Sequence, residues 1–303
     1  MGHIAISQIK SLMKDVNMGK FTVQTGLIFR DSIFVSKILL NSEVWHSMTQ
    51  SQINELERID KILLRHILNA HSKTGIEWLY FDTGKINLGS LIRIRRLMYL
   101  WHVLSRDKTE LIRRVYETQK VSNIAGDWFN LVERDKKYLE IEMSDTEIQG
   151  VSKEVFKSYV TKKVKIKFLQ HLHELKTTHS MSKYMKCDDI KQADYIKSPK
   201  LSHKEKILLF KLRSRTLDVK ENFKNQHRDL MCVSCGLFEE NQSHLLKCPQ
   251  LVSKLSYIID NDINENQIYG TLEQQEIIVK VFSDVLEVRE KLLNNHLEEI
   301  SPP

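Results

Sequence analysis

Long apolar runs are missing from this 303-residue chain. None approaches the ~18–20 residues of a membrane span, so no membrane partner is expected. The first residues hold no signal-peptide core either, because Lys10 and Lys14 interrupt a helical pattern there. Proline and glycine are scarce, at four and ten, and the first proline is Pro199. That scarcity argues against turn-rich β structure and for long helices. It also leaves no glycine-rich phosphate loop: Thr83-Gly84 and Leu88-Gly89 lack the lysine and the spacing. No serine or cysteine stands in a recognisable nucleophile motif, and no repeat of 20–50 residues is visible. Four cysteines without an export signal point to a reducing compartment, nuclear or cytoplasmic, and to metal rather than disulfides.

What is present is charge, and it is uneven. Residues 1–248 hold 42 Lys/Arg against 29 Asp/Glu, a balance of +13. Residues 249–303 hold 4 against 10, a balance of −6. A basic body with an acidic end suggests a polyanion partner, RNA or DNA, although solvated charge on helices explains such counts equally well.

The chemistry concentrates in Cys232–Cys248, which has the form Cys-x2-Cys-x8-His-x3-Cys. Cys232 and Cys235 can grip one ion from a tight turn, and Gly236 lets the chain reverse after them. His244 and Cys248 are four apart and share a side if they lie on one helix. Three thiolates and an imidazole suit tetrahedral Zn2+, and four protein ligands make such a site structural. The plainer reading is cysteines that merely pack or react. Cys187 stands alone, and His171 and His173 diverge on a helix.

Helical spacing recurs through the rest of the chain. It covers residues 4–16 and 21–40, then 50–69 behind a Thr49/Gln52 capping box. Residues 75–81 are short and apolar, fitting a helical turn or a lone strand equally. The pattern returns strongly over 88–104, which carries Arg93, Arg95 and Arg96, and over 109–120. These arginines are either solvated flanks or phosphate contacts. Residues 121–150 are the least regular, with Trp128 and Phe129 as anchors. A long helix over 152–176 has a flank of Lys162, Lys163, Lys165 and Lys167. Residues 177–200 look like a linker. Ser202 and Glu205 form another capping pair, leading into the basic stretch with Lys211, Arg213, Arg215, Lys220 and Lys224. Residues 259–294 form an acidic helical end.

Several of these segments together resemble a known family. Trp45, Leu56-Glu57, the run Leu64–Thr74 and Arg95–Leu100 look like the region after the palm of LINE-type non-LTR retrotransposon reverse transcriptases. So does Lys211–Lys224 followed by the Cys-Cys-His-Cys cluster and Pro249. The resemblance spans most of the chain, and the cluster with residues 211–224 is its most specific part. It implies a thumb-like helical bundle (1–120), a helical linker (121–200), a basic helix with a CCHC zinc knuckle (201–255) and an acidic C-terminal segment (256–303). It implies Cys232, Cys235, His244 and Cys248 as knuckle ligands. Arg93, Arg95, Arg96, Lys211, Arg213, Arg215, Lys220 and Lys224 lie in or beside the matched segments and are candidate nucleic-acid contacts. The family's polymerase carboxylates, which hold two divalent ions, have no counterpart. Asp188-Asp189 has Lys186 where an aromatic residue belongs.

The expectation is therefore an all-α chain with a structural zinc that binds nucleic acid without catalysis, with no small-molecule substrate. Two alternatives stand beside it. In one, the zinc is a staple and helix 271–294 docks a protein. In the other, the chain is part of a longer active RNA-directed DNA polymerase. Phe238 is placed either to stack on a base or to pack over the zinc.

Overall fold

The protein is described here from a computed structural model, which covers residues 22–46, 48–178, 189–226, 229–255 and 264–300. The helix expected over residues 4–16 and both Cys187 and Asp188 lie outside these residues. Every regular element among the described residues is helical, and they contain no strand. One antiparallel bridge, Met231 with Glu239, is the only extended pairing among them.

The first helix, α1 (Val23–Phe29), runs through a widened turn, Arg30–Val35, into Ser36–Ile38. Next come α2 (Gln50–Ile67), α3 (Ile76–Thr83), α4 (Leu88–Leu104) and α5 (Leu111–Ser122). They are followed by α6 (Trp128–Leu139), α7 (Asp145–Gly150), α8 (Lys153–Thr178), α9 (Asp194–Lys197) and α10 (His203–Arg213). The chain ends with α11 (Gln242–Leu245), α12 (Pro249–Val252) and α13 (Leu272–Ile300).

Local chemistry sets the starts and stops. Thr49 and Gln52 close a reciprocal capping box at the start of α2, as do Ser202 and Glu205 at α10. Asn87 caps α4 by accepting from the Ser90 amide. Gly84 ends α3 at φ +66°, and a Cβ there would stand 2.1 Å from the Gln192 backbone nitrogen. Both the left-handed turn and the close approach of residues 191–192 require glycine.

Two cores form. The larger joins Val23 and Leu27 of α1, Leu63 and Leu64 of α2, and Trp78–Phe81 of α3 to Leu209, Phe210 and Leu212 of α10. It continues through Cys232, Leu245, Cys248 and Leu251 to Ile278, Phe282 and Val285 of α13. The smaller gathers Leu97, Leu100 and Leu104 of α4, Tyr116, Val132, Leu139, Ile148, and Phe156, Val160 and Val164 of α8. Helices α4 and α8 contribute to both cores, with Leu88 and Ile92 at one end of α4 and Phe168 and Leu172 at one end of α8 in the larger. They tie the halves together.

Three readings of the sequence change here. Residues 121–150, expected to be irregular, contain α6 and α7; Asn123 and Gly126 take positive φ ahead of α6, and Glu140 does so between the two helices. Residues 189–200 are not a loose linker: Ile190, Tyr195 and Ile196 are fully buried, and the Ala193 amide donates to the Asp82 carbonyl at 2.9 Å. The acidic end is not a separate segment, since Ile278, Val279, Val281, Phe282 and Val285 are all buried. Each such side chain contributes about 1.5–3 kcal/mol, whereas exposed charges contribute at most about 1 kcal/mol. Apolar burial therefore decides where α13 lies.

Candidate metal centre

The centre is built on a reversal of chain held by backbone bonds. The Cys232 amide donates to the Phe238 carbonyl at 2.7 Å, and the Glu240 amide to the Leu230 carbonyl at 2.8 Å. Between them the Gly236 amide donates to the Cys232 carbonyl at 2.8 Å, with Gly236 at φ +64°. A side chain would be strained there, so this glycine sets the tight turn. Backbone N–H groups are thereby gathered around one sulfur, Cys235 Sγ.

His244 and Cys248 do not share one helix, contrary to the spacing argument. Helix α11 stops at Leu245, and Cys248 sits at the extended N-cap of α12, ahead of Pro249 at its first position. Asn241 caps α11 by accepting from the His244 amide at 2.8 Å. The two short helices nonetheless aim both side chains at the turn. All four ligating atoms of Cys232, Cys235, His244 and Cys248 lie within 4.8 Å of one another. Cys232 Sγ is 3.8 Å from Cys248 Sγ, and Cys235 Sγ is 3.4 Å from His244 Nε2. The four side chains could hold one metal ion.

The environment sorts their protonation. Burial pushes the Cys248 thiol up to about 12, and the neighbouring Cys232 sulfur adds to that. Burial acts upward on Cys235 too. The Leu237 and Phe238 amides and the Cys248 and Cys232 thiols outweigh it, so this thiol lies below its ordinary value. Burial lowers His244, which favours the neutral, ligating imidazole. Phe238 is 57% exposed, with its ring centroid 5.5 Å from that of His244. It therefore sits beside the cluster and faces solvent.

A residue that the sequence does not single out anchors this unit. Glu240 is fully buried and accepts from the Lys220 amide (3.2 Å), the Val233 amide (3.2 Å) and Arg289 Nη2 (2.6 Å). Its own backbone carbonyl accepts from the Glu221 amide at 3.0 Å. One carboxylate thus links the cysteine turn, the 220 segment and α13. On paper Glu239-Glu240 is two loop carboxylates, and nothing nearby marks the second as internal.

The candidate nucleic-acid contacts have varied surroundings. Arg96 is buried and pairs with Asp135, while Arg93 approaches the same carboxylate at 3.4 Å and lies 4.3 Å over the Tyr138 ring. Burial raises the Asp135 carboxyl, and Arg96 and Arg93 pull it back. Arg95 donates to the Leu39 carbonyl. Lys211 pairs with Asp218 at 2.7 Å, Arg215 pairs with Glu265, and Lys220 donates to the Met231 carbonyl at 2.8 Å. Arg213 is largely enclosed: it pairs with Asp82 at 3.1 Å beneath the rings of Trp78, Tyr195 and Tyr269. Lys224 is exposed. Arg96 and Arg213 are thus neither solvated flanks nor free surface cations; they hold the fold.

A different basic face does reach solvent. Along α8, Lys157, Ser158, Thr161, Lys162 and Lys165 fall on one stripe and, together with the Glu154 and Asp189 carboxylates, line a groove of about 590 Å³. Lys157 and Lys162 are exposed and make no ion pair with the described residues, while Lys165 donates to the Ile190 carbonyl at 3.1 Å. The flank was legible in the sequence through Lys162 and Lys165; Lys157 and the two hydroxyls were missed, although they stand at helical spacing from them. No protein-family model, no curated protein and no solved structure matches this chain.

Proposed function

We propose that the chain binds RNA or DNA without catalysing a reaction, and that Cys232, Cys235, His244 and Cys248 hold a structural Zn2+. A tetrahedral ion with Zn–S bonds of about 2.3 Å has S···S edges of about 3.8 Å and S···N edges of about 3.5 Å. The distances of 3.8 Å and 3.4 Å within the cluster support zinc. Three sulfurs and one nitrogen favour zinc over harder ions, and four protein ligands leave no position for a reacting water. The ion would supply charge neutralisation and a fixed turn.

The observation that carries the binding reading is the α8 stripe. Unpaired ammonium groups interleaved with hydroxyls suit a phosphate backbone, since both donate to phosphate oxygens. The excess of +13 over residues 1–248 supports it at longer range. The resemblance to the thumb, linker and knuckle of non-LTR retrotransposon reverse transcriptases supports it as well, and makes a non-catalytic fragment of such an enzyme the preferred identity.

The test is fluorescence anisotropy with single-stranded RNA, single-stranded DNA and duplex, each across a salt series. Lys157→Gln with Lys162→Gln removes two phosphate contacts while leaving the core untouched. The expected result is weaker binding with a salt slope shallower by roughly 1.4–1.8. A slope unchanged in the double variant rejects the stripe, and absence of binding at low salt by the natural chain rejects the proposal. The rival, a partner-docking role for residues 271–294, must use the outer face of α13, because its inner face is consumed by the core.

A further inference from the structure

A second site lies in the smaller core, away from the cysteines and the α8 stripe. A cavity of about 410 Å³ opens between α4, α5 and the start of α6, walled by Tyr99, Tyr116 and Trp128 with Val103 and Ile112 behind. The rings meet edge to face: Tyr99 and Trp128 at 5.5 Å and 85°, Tyr116 and Trp128 at 6.2 Å and 74°. Hydrogen bonds fix two of them from outside, the Trp128 indole N–H to the Glu43 carbonyl at 2.7 Å and the Tyr116 hydroxyl to Asp145 at 3.0 Å. The walls are therefore set before any ligand arrives.

One carboxylate belongs to this wall. Asp127 caps α6, its Oδ1 accepting from the Asn130 amide at 2.9 Å. Its Oδ2 is buried and has no hydrogen-bond partner. The carboxylate therefore acts on the cavity through its charge rather than through a hydrogen bond. No lysine or arginine lines the cavity, in a chain holding 46 of them; His46 is the one basic side chain of the wall, and it opposes a cation only when protonated. Arg113, the nearby cation on Tyr116, is paired with Glu117 at 2.8 Å and is not part of the wall.

We propose that this cavity binds a compact organic cation, an alkylated or quaternary ammonium group. Ring faces attract such cations through the aromatic quadrupole, and the attraction grows when water is excluded. The carboxylate supplies the counter-charge, and its full unit outweighs the about half unit of positive charge at the α6 N-terminus. Walls at near right angles suit a rounded ligand. A flat nucleobase prefers parallel walls, so the site is distinct from the nucleic-acid reading.

The experiment is isothermal titration calorimetry on the full chain with choline, with its neutral isostere 3,3-dimethylbutan-1-ol, and with cytidine and adenosine. Choline is expected to bind at least about tenfold more tightly than the alcohol. Asp127→Asn retains a competent cap and is expected to weaken choline by about tenfold without changing the melting temperature. Equal binding of choline and the alcohol overturns the proposal, as does tighter binding of a nucleoside or no choline heat at about 10 mM. Should Asp127→Asn fail to fold, the comparison of choline with the alcohol on the natural chain still decides.

Discussion

Replacing Cys248 with Ser, or stripping the proposed zinc with a chelator, is expected to loosen the C-terminal half of the larger core and spare the smaller one. An apparent zinc affinity for small finger-like units amounts to about 10–16 kcal/mol of folding energy. Whole domains are stable by only about 5–15 kcal/mol, so a turn that depends on the ion does not persist without it. The loss spreads because the ligands are not peripheral. Cys232 and Cys248 are buried in the larger core beside Leu245 and Leu251. Glu240 in the same unit holds Arg289 of α13. Once the turn opens, that carboxylate loses the Val233 amide along with its fixed position. Hydrogen exchange reads the outcome directly. Amides over residues 230–252 and the facing part of α13 should lose protection on chelation, while those of α4 and α8 around Leu97–Leu104 and Phe156–Val164 keep theirs. Uniform protection before and after chelation contradicts the expectation.

The second large effect is expected at Asp82. Arg213 donates to it through Nε and Nη2 at 3.1 Å, and the Tyr195 hydroxyl donates to it at 2.8 Å. Arg213 also donates to the Ile268 carbonyl at 3.1 Å, and its own backbone carbonyl accepts from the Tyr269 hydroxyl at 2.8 Å. Four separate stretches of chain therefore close on one ion pair. Asp82→Asn preserves shape but leaves a buried guanidinium without its counter-charge, which costs about 3–5 kcal/mol. For a chain of this size the melting temperature should fall on the order of 10 °C. Arg213→Met added to Asp82→Asn removes the stranded charge, so the double variant should be less destabilised than the two single losses combined. A change below about 1 kcal/mol for Asp82→Asn, or strict additivity, shows that the pair does not hold these segments together. The same logic changes how arginine truncations are interpreted. Loss of nucleic-acid binding on removing Arg96 or Arg213 would report unfolding; Lys157 and Lys162 are the informative positions.

Much of this architecture was legible in the residues. The capping pairs Thr49/Gln52 and Ser202/Glu205 are local chemistry, and local chemistry survives folding. Helix α4 was marked over its full length, and the four candidate ligands are those that converge. Residues 75–81 were ambiguous for a physical reason. Trp78, Leu79, Tyr80 and Phe81 are all buried, as are Glu77 and Asp82, so α3 is enclosed on every side and shows no period to detect. Helix α6 was missed because positive-φ residues bracket it at Asn123, Gly126 and Glu140, although Trp128, Leu131, Val132 and Leu139 stand at helical spacing. The arginines were misjudged because charge is visible in sequence and partners are not. Arg96 meets Asp135 across 39 positions, and Arg213 meets Asp82 across 131. No local pattern carries such a pairing.

The metal content of the purified, folded chain is the most direct measurement. Elemental analysis against protein concentration should give one zinc per chain, retained through gel filtration and abolished, together with amide protection over residues 230–252, in the Cys248→Ser variant. A fully folded chain with no bound metal would show that Cys232, Cys235, His244 and Cys248 meet only as packed side chains.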